Sequence, residues 1–170
     1  KSRFPDLRHL SDDMLKKGIH LVTIIDPGVK KDTTFPLYQD GVRNDIFCKS
    51  SDDKVVHGVV WPGWVAFPDV TNPVARHWWG SQYQFYIDAG ISGFWHDMNE
   101  PVSFCAWGDD TLPITTKHNL DGQNGNHLEA HNLYGLLMNK AAYETLQQIN
   151  PDKRNWIISR SGWAGLQRYA

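Results

Sequence analysis

Ile91-Ser92-Gly93-Phe94-Trp95-His96-Asp97 is a short apolar run that follows directly on Gly90 and gives way to polar residues, so it reads as a parallel-sheet strand ending at Asp97. On its N-terminal side, Asn72-Pro73 supplies a cap and a first-turn proline for a helix whose stripe runs through Trp79, Tyr83, Tyr86 and Ile87 and closes at Gly90. Further back, His20-Leu21-Val22-Thr23-Ile24-Ile25 is nearly all β-branched or apolar, as expected for a strand buried on both faces, and Asp26-Pro27-Gly28 stops it. Before it, Pro5, Leu7, Leu10, Met14 and Gly18 outline an amphipathic helix with a glycine cap.

Downstream of Asp97, a loop rich in Gly, Asn and Asp reaches Asn126. Tyr134, Leu137, Met138, Ala141, Leu146 and Ile149 then keep helical spacing as far as Asn150-Pro151, and Trp156-Ile157-Ile158-Ser159-Arg160 reads as a third strand. Residues 29 to 72 carry no strong helical period. Asp40-Gly41 marks a turn there, and Asn44 to Lys49 can pair with Lys54 to Trp61 as a hairpin across Ser50-Ser51-Asp52-Asp53. Alternating strands and helices predict an α/β fold with parallel pairing and right-handed crossovers. The long insertions follow strands, which is where a (β/α)8 TIM barrel carries its site, so the expected architecture is a partial barrel of about three consecutive βα units with long βα loops.

Composition excludes several classes. The 170 residues are 41% hydrophobic and 21% charged, with a net charge of -2, and the cations are scattered. There is no basic face for nucleic acid and no polybasic membrane patch. Apolar runs fall well short of the roughly 20 residues of a membrane span, and Lys1-Ser2-Arg3-Phe4-Pro5 does not read as a signal peptide. Cys48 and Cys105 form neither a disulfide framework nor a zinc pattern, which points to a reducing, cytoplasmic setting. Eight tryptophans are several times ordinary usage. Trp61, Trp64, Trp95 and Trp107 sit near Gly, Pro or acidic residues, where rings either stack on flat ligand faces or fill a core.

If the three strands are neighbours, Asp26, Asp97 and Arg160 converge at their C-terminal ends. One acidic residue after a strand is more often a turn or helix cap; three polar strand ends together suggest a site. Asp97 and Glu100 are close enough to offer paired carboxyl groups. The tight Asn99-Glu100-Pro101 turn leaves open whether both face one cavity or Glu100 only holds the loop, and spacing does not choose between them.

The run Gly93-Phe94-Trp95-His96-Asp97-Met98-Asn99-Glu100-Pro101 is similar to the nucleophile signature of glycoside hydrolase family 31, the α-glucosidases and α-xylosidases. Ile24-Ile25-Asp26-Pro27, Val60-Trp61-Pro62-Gly63, Phe67-Pro68-Asp69, His131-Asn132-Leu133-Tyr134-Gly135-Leu136, Ser159-Arg160-Ser161-Gly162 and Gln167-Arg168-Tyr169 resemble the same family in the same order. The resemblance implies Asp97 as nucleophile, Asp26 as acceptor for the outer hydroxyls of a terminal sugar, and Arg160 near its 2-hydroxyl. Trp61, Trp95 and Met98 would line that pocket, with Glu100 as a supporting brace.

On this resemblance the expected activity is that of a retaining, exo-acting α-glucosidase taking terminal non-reducing α-linked glucose from oligosaccharides, without metal or organic cofactor. Other members, the α-xylosidases, transglucosidases and α-glucan lyases, share the same core. The family's acid/base lies in a Gly-Asp-Asn segment shortly after Gln-Arg-Tyr, and a whole barrel needs roughly 250 residues. Residues 1–170 are therefore expected to be a fragment of a single catalytic barrel domain, truncated at both ends. The acid/base is expected beyond Ala170, and the remainder of the domain becomes the chain's partner.

His96 departs from the family pattern. Strand alternation puts it opposite Trp95 and Asp97, toward the helices, as a hydrogen-bonded structural histidine. His127, Glu129 and His131 at a helix start invite a metal reading, but the order is not His-Glu-x-x-His and a third ligand is not obvious, so no metal is expected. The rival class is a carbohydrate-binding domain without catalysis, which would keep the aromatic pocket and not need Asp97 as nucleophile.

Overall fold

The computed structural model describes residues 3–105 and 110–170, so Trp107 lies outside the described residues. In chain order the main elements are α1 (Leu7–Lys16), β1 (Val22–Ile25), β2 (Val29–Lys30), α2 (Pro36–Arg43), β3 (His57–Val60) and β4 (Gly63–Ala66). These are followed by α3 (Pro73–Ser81), α4 (Tyr83–Asp88), β5 (Gly93–His96), β6 (Lys117–His118), β7 (Gly125–Asn126), α5 (His127–Ile149) and β8 (Ile157–Ser159).

The central sheet has the order β1-β5-β8, all parallel. Helices α3 and α4 lie between its first two strands in sequence, and α5 between its last two. Helix α5 starts with a capping box: Asn126 Oδ1 accepts from the N–H groups of Leu128 and Glu129, and Glu129 accepts from the Asn126 N–H. Asn72 caps α3 in the expected way, through the Val74 N–H. Close packing of α3 on α5 depends on Gly80, where an added Cβ would stand 2.8 Å from the Ala141 carbonyl oxygen and run into Thr145.

Three local expectations need correction. The helix expected to run from Asn72 to Gly90 breaks at Gln82. Ser81 Oγ and Gln82 Nε2 both donate to the Trp78 carbonyl, at 2.7 and 2.9 Å, while the Gln82 N–H turns to Trp79 O. Asp40-Gly41 is no turn but lies within α2, a helix started by Pro36, and Gly41 is required there by the ring of Phe47 packed against it. The hairpin across Ser50–Asp53 survives only at its tip, with the Lys49–Val55 bridge. Its second arm pairs instead with Gly63–Ala66 after a tight turn in which Gly63 has φ +90°, giving an antiparallel sheet β2-β4-β3. The first arm lies along Phe67–Asp69, with Cys48 N–H donating to Phe67 O and Asp69 N–H to Ile46 O.

The central strands are buried on one face, not two. Phe94 and His96 are almost fully enclosed by the helices, with Tyr83 edge-on to Phe94 at 4.8 Å. On the opposite face Ile24, Trp95 and Ile158 form one row in register, 53%, 40% and 48% exposed, because no described element packs against them. His96 faces the helices. Asn139 uses its amide N–H groups on Gly135 O and Ser159 Oγ, so its oxygen accepts from His96 Nδ1, and the Tyr83 hydroxyl donates to Nε2, both at 2.7 Å. Burial pushes His96 down to about 4, leaving it neutral.

Candidate active site

Ile25 pairs with His96 and His96 with Ser159. Asp26, Asp97 and Arg160 are consequently the next residues on three adjacent parallel strands, at one level. The ladder continues through them: Asp97 N–H donates to Ile25 O at 3.1 Å and Arg160 N–H to His96 O at 2.9 Å. Residues distant in sequence meet because the crossovers bring each strand back in the same direction.

The guanidinium of Arg160 organises the cluster. Its Nη1 is 3.1 Å from Asp97 Oδ1 and also donates to Met98 Sδ at 3.2 Å. Nε and Nη2 form a two-pronged contact with Glu100, at 3.0 Å to Oε1 and 2.7 Å to Oε2. The Glu100 hydrogen bonds, with the charges of Glu100, Asp97 and Asp26, strengthen the guanidinium's hold on its proton. Met98 takes φ +56°, in the left-handed region. That turn lets its N–H reach back to Asp97 Oδ1 at 2.9 Å while its side chain is buried. Asp97 Oδ1 thus has two donors, whereas none of the described residues bonds Oδ2.

Asp26 is built differently. Its Oδ1 is buried and has no hydrogen-bond partner among the described residues. Burial, then the neighbouring Asp97, raises its carboxyl above the ordinary range, and Arg160 opposes the shift. A buried acceptor left open beside a carboxylate–guanidinium pair is suited to a hydroxyl-bearing ligand.

Asn99 and Ser103, which the sequence did not single out, brace the loop after β5. Asn99 is fully buried, donating to Ser159 Oγ at 2.8 Å and accepting from Ser161 N–H at 3.2 Å. Ser103 Oγ accepts from Val59 N–H, and Phe104 N–H donates to Val59 O, so the loop is tied to β3. Trp61 stands at the β3–β4 turn, 75% exposed, with its ring edge-on to Phe104 at 5.2 Å; its ring contact is with Phe104. Trp95 is half-exposed on the strand immediately before the cluster.

With this geometry in place, comparison with known proteins decides the family. The sequence matches the glycosyl hydrolases family 31 TIM-barrel domain over residues 1–170. The chain belongs to family 31.

This family 31 chain is 45% identical, over all its 170 residues, to a stretch making up 21% of Alpha-glucosidase 2 of Bacillus thermoamyloliquefaciens. It superimposes on the family 31 α-glucosidase of Bacteroides thetaiotaomicron with a TM-score of 0.80 and 36% identity, covering 98% of this chain and 26% of that one. On the glucose-complexed family 31 dextranase of Flavobacterium johnsoniae the TM-score is 0.83 at 29% identity, covering 96% and 20%. The chain therefore spans only a fifth to a quarter of the length of these relatives.

Two of the three residues considered as metal ligands have other work in the family 31 chain. Glu129 caps α5, and His127 is buried and bonded to His118 and Thr111. Among the described residues, Cys48, Asp69 and His118 bring a thiol, a carboxylate and an imidazole within 4.8 Å. The carboxylate and the imidazole are already engaged in hydrogen bonds, so we assign no metal there. No helix among the described residues is long and apolar enough to cross a membrane.

Proposed function

We propose that Asp97 is the nucleophile of a retaining, exo-acting α-glucosidase that releases terminal non-reducing α-linked glucose from oligosaccharides. One observation carries this reading: three parallel strands end in register at Asp26, Asp97 and Arg160, with Arg160 3.1 Å from Asp97. The α-glucosidase relatives support the glycosidase class.

Arg160 and the Met98 N–H hold Oδ1, so Oδ2 is the oxygen presented to the anomeric carbon. Attack there gives a covalent glycosyl–enzyme as the leaving oxygen takes a proton from a second carboxyl group. That group then draws the proton from the water that releases the sugar. Glu100 is poorly suited to either part, since both its oxygens are taken by Arg160; it braces the arginine. We assign the acid/base to no residue of this chain. Asp26 accepts from outer hydroxyls of the sugar, Arg160 lies near the 2-hydroxyl, and Trp61, Trp95 and Met98 line the pocket. No step calls for a metal or organic cofactor.

The chain is, in this reading, the central part of a single (β/α)8 barrel domain comprising about three βα units. The exposed apolar row Ile24, Trp95 and Ile158 supports it, since the remaining strands of the same domain would close over that face. A cytoplasmic setting accords with the two unpaired cysteines, Cys48 and Cys105.

The test is Asp97→Ala in the full-length protein. Hydrolysis of an aryl α-glucoside should fall by about a thousandfold or more, with partial recovery on adding azide as external nucleophile. Near-normal turnover by the variant rejects the assignment.

A further inference from the structure

Behind the loop that carries Glu100 runs a buried chain of polar side chains that the proposed chemistry does not use. It begins at Asp69, whose Oδ1 accepts from the Thr71 N–H and hydroxyl and whose Oδ2 accepts from Asn119 N–H. His118 Nδ1 is 3.0 Å from Asp69 Oδ1, and His118 Nε2 is 3.0 Å from His127 Nδ1. His127 Nε2 is 2.9 Å from Thr111 Oγ1, which donates to the Pro101 carbonyl at 2.6 Å. The two imidazoles are stacked, with centroids 5.2 Å apart, and both are almost fully enclosed.

Protons in this chain can be counted. Its two ends, a carboxylate and a proline carbonyl, only accept. Four contacts lie between them, and each needs one proton. The threonine hydroxyl supplies one and two neutral imidazoles supply one each, which leaves one contact without a proton. Two bare acceptors facing each other at 3 Å in a buried site would repel. The Cys48 thiol, 3.9 Å from His118 Nδ1, cannot fill the gap: donating to that nitrogen would leave it a bare acceptor against Asp69.

We infer that the Asp69–His118–His127–Thr111 chain holds one additional proton, mainly on His118, and through the Pro101 carbonyl fixes the turn that presents Glu100 to Arg160. His118 and His127 are thereby positioning residues for Asp97, and this functional part rests on the reading proposed above. The proton belongs with His118 because that ring touches the carboxylate, so the buried pair is neutral overall. Burial, with His118 and His131 beside it, pushes His127 down to about 3, so it stays neutral. Cys48 and Tyr134, the other titratable groups packed on Asp69, are both pushed up and remain uncharged. Asp45, Lys49 and Lys117 line the cleft outside, together with Asp69 and His118.

Neutron diffraction from crystals of the full-length protein at neutral pD reads the proton count directly. Deuterium on both ring nitrogens of His118, and on Nε2 alone of His127, is expected; one deuterium on each ring overturns the inference. This result does not depend on turnover, so it stands or falls separately from the role of Asp97. The positioning role is read from kinetics of the full-length enzyme. His127→Ala should lower kcat by about tenfold with KM little changed and should alter the pH profile, while His127→Gln, which keeps one donor and one acceptor, should recover most of the loss. A His127→Ala enzyme with wild-type kcat and pH profile overturns that role.

Discussion

Arg160 touches two carboxylates at once, with Nη1 3.1 Å from Asp97 Oδ1 and Nη2 2.7 Å from Glu100 Oε2. The two-pronged hold by Glu100 fixes the plane of the guanidinium, so that a single nitrogen is offered to Asp97. In Glu100→Gln the amide keeps one acceptor and loses the charge, freeing the arginine to settle more fully on Asp97 and mask the oxygen proposed to attack. Turnover of the full-length enzyme should fall by about ten- to a hundredfold, with circular dichroism unchanged. Unaltered steady-state rates on an aryl α-glucoside would show that Glu100 has no such influence.

Asp26 should cost the fold stability while serving the site. Its carboxyl is raised by burial and by Asp97, so the folded chain binds that proton more tightly than the unfolded one. The associated stability is present at low pH and is lost as pH rises through the raised folded value. Asp26→Asn cannot ionise. The variant should melt above the wild type at neutral pH, with the gap closing toward about pH 4, and it should show a higher KM. Scanning calorimetry across pH checks the first part, and a wider gap in acid would contradict it.

His96 has the opposite sign. Its folded value is depressed to about 4 from an ordinary 6.5, so its contribution is present above the ordinary value and is lost as pH falls from 6.5 toward 4. His96→Leu leaves the Tyr83 hydroxyl and the Asn139 oxygen buried without their partner. This should cost about 2–4 kcal/mol at pH 7, and less near pH 4.5. Urea denaturation of both proteins at the two pH values makes the comparison.

Gly80→Ala tests the closest helix contact. The new methyl group would press on the Ala141 carbonyl and on Thr145, where rigid backbone cannot yield. A loss of about 1–3 kcal/mol is expected, despite alanine's better helix propensity. A stabilised variant would mean that α3 and α5 can separate without penalty.

Strand positions were legible in the sequence because β1, β5 and β8 are short apolar runs ended by polar residues. Given neighbouring strands, those runs also put Asp26, Asp97 and Arg160 at one end of the sheet. Helix α2 was not legible, since its glycine answers to the ring of Phe47, which lies outside the local pattern. The true partner of His57–Val60 was also hidden, because two turn signals lay nearby and only tertiary contact chose between them. The Glu100–Arg160 clasp joins residues 60 positions apart, and no local periodicity reports a contact of that kind. Sequence left open whether Glu100 shares a cavity with Asp97 or holds the loop; in the structure both its oxygens are bonded to Arg160.

The register Ile25–His96–Ser159 separates what this chain can vary from what it must keep. Loops that carry no residue of the cluster can lengthen or shorten, whereas the loop after β5 cannot, because Met98 and Glu100 reach back from it to Asp97 and Arg160. Deleting one residue inside β5 would instead reverse the phase of everything after it, swinging the carboxylate of Asp97 round to the helix side and His96 into the open. A substitution at one strand end alters one group of the cluster; a shift of phase displaces them all.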